Sequence, residues 1–441
     1  MSAQVSNSRV TWGRATQMPS SLSEKLNHPV WPLLTVFVSS ILITITFWSV
    51  LPAGARVDES SDFKTFYQPV AHNVLAGRGF VDTAGSPAVR YPPGYPIILA
   101  GIFGLARLLN VPESNILTIF LLICGGLTAI LVFLLAKTIG GPVSALIAAL
   151  AWATYPLALW LSKQPNSEIP FLVVFCGSFY LFWWALLRQS RAWPIYFLSG
   201  LLMGLAILIR PIAIGVGFPM IAILWLTAKT MPARFRLLMA SMLLVGSFVA
   251  IAPWEFWVYA KTGRAVIVST AGVPALRDGL TFAVNRKGFR QGVYVPEDVA
   301  SLMLSIQARY STLESFGDVF SIMAEQSRQR PLAVAKLYLI KVARSWYGTD
   351  SQRFETPIIL VQCFYFLLIG WCSIVAWKRA GIPRKLALGI WFIIIYFWAM
   401  NVLSTTLVRY MVPVIALSFA LLPVLFHKST VKTEQREVSI T

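Results

Sequence analysis

Charge is the scarcest commodity in this chain. Only 12% of its 441 residues are Asp, Glu, Lys or Arg, against about 25% in soluble domains. With 57% hydrophobic residues and a mean hydropathy of +0.68, it leaves no room for a soluble domain of ordinary size between its apolar stretches. Thiols and imidazoles are scarce as well. The four cysteines, Cys124, Cys176, Cys363 and Cys372, all fall in apolar runs and read as packing residues, so the polar loops carry no thiol for a disulfide. There is no CxxC, and His28, His72 and His427 are too scattered for a zinc cluster. No cofactor is implied with certainty, and a divalent metal held by carboxylates stays open. Neither a P-loop nor a GxGxxG opening the helix of a βαβ unit is present, so no nucleotide pocket is expected. Internal repeats and low-complexity segments are absent too.

What the chain does have is apolar runs of the roughly 20 residues that cross a bilayer. Windows of that length place about ten spans near 30–51, 115–136, 142–162, 169–187, 194–209, 212–228, 237–257, 355–376, 386–400 and 410–426. The first follows a long polar tail and exceeds the hydrophobic length of a secretory signal, so it reads as an uncleaved anchor despite Ala53-Gly54-Ala55 beyond it. The net charge is +19, and basic residues collect in short loops. Lys137, Arg188 with Arg191, Lys229 with Arg234 and Arg236, and Lys378 to Lys385 share no loop with an acid, and of the 18 acids only Glu24, Glu434 and Glu437 are in the tails. That segregation follows the positive-inside rule, sets both tails in the cytoplasm, and makes nucleic acid a poor partner.

One apolar segment, Tyr95–Leu109, breaks the pattern if it crosses, because Lys137 and the loops after it would then change sides. It therefore reads as a juxtamembrane helix lying in the interface. The stretch 194–228 is apolar except for Arg210 and fits two spans joined by a tight turn at Arg210-Pro211. The organisation that follows is a cytoplasmic tail (1–29), a transmembrane core (30–257) with a first outer loop (52–114), a second outer loop (258–354), further spans (355–426) and a second tail (427–441). Within the second outer loop two short helices are expected. After them "PLAVAKLYLIKVARSWYG" reads as amphipathic, with Lys336, Lys341 and Arg344 set against Leu337, Ile340 and Trp346.

The first outer loop contains "SSDFKTFYQPVAHNVLAGRGFVDTAGSPAVRYPPGYP". Phe63, Phe66, Tyr67, Val70, Val74 and Leu75 make an apolar helical stripe, which Ser61 or Asp62 caps and Gly77 ends. Asp62 is thus either an N-cap or an outward-facing carboxylate, with Asp58 and Glu59 just upstream. The other outer loops add Lys163 and Glu168 from "KQPNSEIP", Arg210 from "LIRP", and Arg409 with Tyr410 from "STTLVRYMVP"; the first loop itself adds Arg90 and Tyr91. Each cation alone is compatible with ordinary snorkelling to the interface. Together they set carboxylates and fixed positive charge at one depth, which suits a phosphate held beside a proton acceptor. Pro92 and Pro93 read as a rigid turn, and Trp254, Trp257 and Tyr259 as an aromatic belt.

The pieces "DFKTFYQPVAHNVLAGRGF", "RYPPGYPIILA", "GLAILIRP", "APWEFWVYAKTGRAVIVSTAG" and "VRYMVP", in that order from residue 62 to about 413, resemble the GT-C superfamily of integral-membrane glycosyltransferases. That group includes dolichyl-phosphate-mannose protein mannosyltransferases and the aminoarabinose transferases. The resemblance implies an all-α polytopic fold with interfacial helices and a polyprenyl-phosphate sugar as donor. It also implies inverting transfer to a lipid, glycan or protein acceptor at the outer face. On it, Asp62 would be the general base, Arg90, Arg210 and Arg409 candidates for the donor phosphate, and Glu168 a second acid. Family members often carry an Asp-Glu pair at the key position, which leaves Asp58-Glu59 as the alternative base. The expected location is a bacterial inner membrane, with the site facing the periplasm or exterior. Two other readings stay open: a transporter or flippase of a lipid-linked sugar, and an oligosaccharide polymerase or ligase.

Overall fold

The computed structural model describes residues 30–426 except 57–59, 190–191, 286–287, 290–293 and 353, so both tails and the acids Asp58 and Glu59 lie outside the described residues. The described chain is helical throughout, apart from a hairpin pairing Val284–Asn285 with Gly288–Phe289 and a single bridge between Val81 and Pro87. Among the described residues six helices are long and apolar enough to cross a membrane: Val30–Val50, Glu113–Lys137, Glu168–Leu187, Ala233–Thr262, Glu355–Lys378 and Ile382–Leu403. A seventh crossing needs Pro142–Ala153 and Pro156–Ser162 taken together, and these are bent by 58° at the Pro156 break. The remaining expected spans fall on shorter apolar helices, Trp193–Ile209, Pro211–Thr227 and Val412–Leu425, so the count of ten is not reached by length and composition.

The centre is the helix Glu168–Leu187, whose Phe171, Phe175, Phe179, Phe182 and Trp183 are fully buried. A helix apolar on every side belongs inside a bundle rather than at its edge. Trp193–Ile209 packs between it and Ala233–Thr262. The closeness depends on glycine: a Cβ on Gly200 would sit 2.0 Å from the Leu243 carbonyl oxygen, a distance no side chain permits. Hydroxyls then bond across the seams. Ser178 and Ser199 each donate to the other's carbonyl, at 2.7 and 2.9 Å, and Ser247 donates to Gly200 at 2.9 Å. Such bonds satisfy polar groups where lipid offers no partner.

The segment 280–337 builds a small core of its own. Val299, Leu302, Met303 and Ile306 of Glu297–Ala308 meet Val319 and Ile322 of Phe316–Gln329 and Leu337 of Pro331–Arg344. The two short helices are where the sequence predicts them, and the second starts with a Ser315–Asp318 capping box.

The amphipathic reading of the third helix needs correction. Lys336 does face out, to Asp298 at 2.8 Å, but Lys341 and Arg344 are buried (0% and 3% exposed) on the same side as Leu337. The aromatic belt is also only partly present. Tyr259 is exposed, whereas Trp254 is buried against Trp257 and donates its indole N–H to the Val268 carbonyl at 2.8 Å. Of the cysteines, Cys363 is exposed and the other three are buried.

Burial, with the Arg344 charge beside it, pushes the Lys341 ammonium down to about 7, against about 10.4 in an unfolded chain. Between those values the unfolded chain binds the additional proton, so stability should rise as pH increases from about 7 toward 10. Lys341→Met should flatten that rise and raise the Tm near pH 7, measured by thermal unfolding in detergent at pH 7 and 9. A variant that keeps the wild-type slope would assign it to another group.

Candidate active site

The helix that carries the predicted apolar stripe begins with a widened π-type turn, Phe63–Tyr67, and continues as Gln68–Leu75. Its stripe is buried at Phe63, Phe66 and Val70, and Gly77, at φ +75°, follows its end. Asp62 is not the cap. Its backbone is already helical (φ −64°, ψ −34°) and its carboxylate makes no cap bond, while Ser60 Oγ accepts from the Phe63 N–H at 3.2 Å. The carboxylate turns instead to Tyr91, whose hydroxyl donates to Asp62 Oδ1 at 3.0 Å. Asn73 makes this meeting possible. Its side-chain amide donates to the Val81 and Asp82 carbonyls at 2.8 and 3.1 Å, folding the loop back so that Tyr91 returns over the helix. Burial first, and the Asp62 charge second, push the Tyr91 hydroxyl up to about 12, so it stays a donor at neutral pH.

The turn after Tyr91 docks on the bundle through Gly94. A Cβ there would lie 2.6 Å from the Leu208 carbonyl oxygen, so only glycine lets the Pro93-Gly94 corner rest on the last turn of Trp193–Ile209. That helix stops at Ile209, as the tight-turn reading expects. Arg210 is extended (φ −143°, ψ 117°) and Pro211–Ala213 restarts the chain as a 3₁₀ turn. Arg210 Nη1 lies 2.8 Å from Glu168 Oε1 and donates to Ser167 Oγ at 2.9 Å. Glu168 opens its helix, where the positive end of the helix dipole favours an anion. Arg409, from the turn Val408–Tyr410, brings Nε to 3.6 Å from the same Glu168 oxygen and Nη2 to 3.3 Å from Asp350. The Tyr410 ring is flanked by both guanidinium groups, with Arg210 at 5.0 Å and Arg409 at 5.3 Å from its centroid.

Tyr67 joins the two halves. Its ring is 5.1 Å from Tyr91 and 5.0 Å from Tyr95, centroid to centroid. Burial raises its hydroxyl far above the ordinary range, with the Arg210 charge opposing and Tyr91, Glu168 and Asp62 adding. One buried hydroxyl thus feels both the Asp62 carboxylate and the Arg210–Glu168 pair. Cation and carboxylate share a single aromatic-walled site.

The sequence-predicted residues divide accordingly. Asp62, Tyr91, Glu168, Arg210, Arg409 and Tyr410 are brought together. Arg90 is exposed, its guanidinium 5.3 Å from the Tyr91 ring centroid, at the rim. Lys163 is engaged elsewhere: it lies 3.8 Å over the Trp160 ring and donates to the Ala55 carbonyl. Asp350 and Tyr95 were not singled out by sequence reasoning. Asp350 lies just before a predicted span, at the same depth as Arg409, and that depth argument reaches it too. Among the described residues no three His, Cys, Asp or Glu side chains converge as a metal site.

With this geometry in view, residues 91–257 match the family described as dolichyl-phosphate-mannose-protein mannosyltransferase. The match begins at Tyr91 and takes in Glu168 and Arg210. Solved structures of the oligosaccharyltransferase AglB from Archaeoglobus fulgidus share the fold. The complex with an inhibitory peptide and a dolichol-phosphate is 14% identical, with a TM-score of 0.52, covering 88% of this chain and 50% of that one. The apo form is 13% identical with a TM-score of 0.54 and the same coverage. The form tethered to an acceptor peptide is 14% identical with a TM-score of 0.51, covering 89% and 49%. The chain therefore spans about half the length of these structures. No curated protein matches the sequence.

The corner at Gly94 is testable without any substrate. Gly94→Ala should force the turn off Leu208 and cost about 1–3 kcal/mol by overpacking. Gly101→Ala, on the same helix with nothing within 4 Å of its Cβ position, should be neutral or slightly stabilising. Thermal unfolding of the two purified variants reads the difference, and equal Tm values would mean that the corner does not rest on Leu208.

Proposed function

We propose, on the GT-C superfamily glycosyltransferase fold and the family match of residues 91–257, that this chain moves a sugar from a polyprenyl-phosphate donor to an acceptor hydroxyl with inversion. The observation that carries the reading is a pair of guanidinium groups held near a carboxylate that pairs with neither of them. Arg210 and Arg409 share Glu168, and across Tyr67 the Asp62 carboxylate holds only a tyrosine hydroxyl among the described residues. Asp62 takes the acceptor proton, the acceptor oxygen bonds to the anomeric carbon, and the bond from that carbon to the phosphate oxygen breaks. The charge that develops on the departing phosphate is met by Arg210 and Arg409, whose places are fixed beforehand. Tyr91 orients Asp62. Glu168, buried and ion-paired, serves as counter-ion to the guanidinium groups, not as a second proton acceptor. Arg90 and Tyr410 are left for the outer part of the substrate, and Lys163, engaged elsewhere, takes no part in it. The dolichol-phosphate bound in the AglB structure gives a related fold a lipid phosphate as ligand, which supports the same donor class here.

Asp62→Asn should lower turnover by about 10²–10⁴-fold, the usual worth of a positioned general base, with polyprenyl-phosphate-sugar binding retained. Release of labelled sugar from a panel of such donors, by purified protein in lipid, measures it. A loss under about tenfold in folded protein would remove Asp62 from the role, and donor binding without turnover in either protein would favour the transporter reading.

The topology belongs to the same proposal. Basic loops free of acids support a site on the non-cytoplasmic face, with Gly94–Leu109 flat in the interface, and the membrane we expect is a bacterial inner membrane. In a Cys363→Ser background, cysteines at Ala84 and Leu108, both exposed, should then react with an impermeant maleimide from the same side. Labelling from opposite sides would make Gly94–Leu109 a crossing helix.

A further inference from the structure

Arg409 faces two carboxylates of unlike character. Glu168 is 5% exposed and shared with Arg210, whereas Asp350 is 62% exposed and lies 3.3 Å from Arg409 Nη2. Two guanidinium groups against one buried carboxylate leave one positive charge unbalanced at the mouth of the site, and Asp350 offsets it.

Neither partner in the Arg409–Asp350 pair is loosely placed. Arg344, 3% exposed, donates to the Thr406 carbonyl at 3.1 Å, to the Thr349 carbonyl at 3.0 Å and to Glu355 Oε1 at 2.7 Å. Glu355 in turn accepts the Thr349 N–H at 2.9 Å. Asn401, fully buried, brackets Leu407, accepting its N–H and donating to its carbonyl, both at 2.9 Å, and also donates to the Ser345 carbonyl at 3.2 Å. The Val408 N–H closes the set on the Gly348 carbonyl at 2.9 Å. Thr406 is held at φ +52°, a strained value for a β-branched residue. One buried clamp therefore fixes the residue before Asp350 and the residue before Arg409, and sets the two side chains face to face.

We propose that Asp350 is a placeholder anion: it occupies Arg409 until the phosphate of the lipid donor displaces it, and it returns to help expel the phosphate of the product. The inference rests on the proposed function and assigns a further residue to that site. A sugar phosphodiester carries one negative charge and the product monoester carries more, so the competition acts hardest on the product.

The exchange costs the pair it breaks. An exposed ion pair is worth little, so removing the competing charge should tighten phosphate binding by about two- to fivefold. The test is binding of a polyprenyl monophosphate to purified protein in nanodiscs, with the matching polyprenol as uncharged control, for wild type, Asp350→Asn and Arg409→Ala. The expected result is tighter monophosphate binding in Asp350→Asn with polyprenol unchanged, a lower donor KM, and deeper inhibition by product. Unchanged or weaker binding in Asp350→Asn, while Arg409→Ala still loses it, would overturn the placeholder role and leave the proposed function standing. If none of the three proteins distinguishes the monophosphate from polyprenol, the phosphate site itself is wrong, and both proposals fall with it.

Discussion

A single carboxylate organises the site. Glu168 begins the most buried of the six candidate spans among the described residues, and one of its oxygens lies within ion-pair distance of Arg210 and of Arg409, which come from two distant breaks in the fold. A buried guanidinium without a partner is untenable in an apolar surround, and removing one member of a buried pair costs about 3–5 kcal/mol. The packing of three segments around Glu168 is therefore a condition for the two arginines to be there at all. Glu168 alone cannot offset both cations, and the exposed Asp350 beside Arg409 supplies the second negative charge.

The aromatic residues set the surroundings of these charges. The rings of Tyr91, Tyr67 and Tyr95 run in series with centroids about 5 Å apart, starting from the tyrosine that bonds Asp62, while the Tyr410 ring lies against both guanidinium groups. If Asp62 bonded directly to Arg210, its carboxylate would be neutralised and would make a poor proton acceptor. As it stands, the acid keeps its own hydrogen bond to Tyr91 while the cations keep their bonds to Glu168 and Ser167. The low dielectric around the rings strengthens each of these interactions.

Helix existence was legible because it rests on apolar period and length, and the break at Arg210-Pro211 was legible because an arginine inside an apolar run forces a turn. The sequence also placed Asp62, Glu168, Arg210 and Arg409 at one depth, and the structure unites them. It could not separate Asp62 from the capping role, since both readings use the same residue at the same helix start. Ser60 takes the cap, and a neighbour 29 residues away in the chain claims the carboxylate. The helix Pro331–Arg344 misled for a related reason. Lys341 and Arg344 have the spacing of a solvated face, and only the arrival of Thr406, Leu403 and Glu355 from other segments turns that face inward. Span count was the least legible property. Helices broken by Pro156 and Pro211 are short in the structure although their apolar runs are long in the sequence.

Every residue assigned to the site sits where a helix starts, stops or is interrupted. Asp62 lies at the front of a π-type turn, Tyr91 before a proline corner, Glu168 at a helix N-terminus, Arg210 between two helices, and Arg409 in a 3₁₀ turn. Within hydrocarbon a broken backbone is costly, because its freed N–H and C=O groups find no partner, so such breaks gather at the membrane surface or against protein. Polar side chains obey the same constraint. In a chain with so few charges, the requirement that backbone breaks and charged residues avoid hydrocarbon gathers a carboxylate and a cationic pair into one neighbourhood.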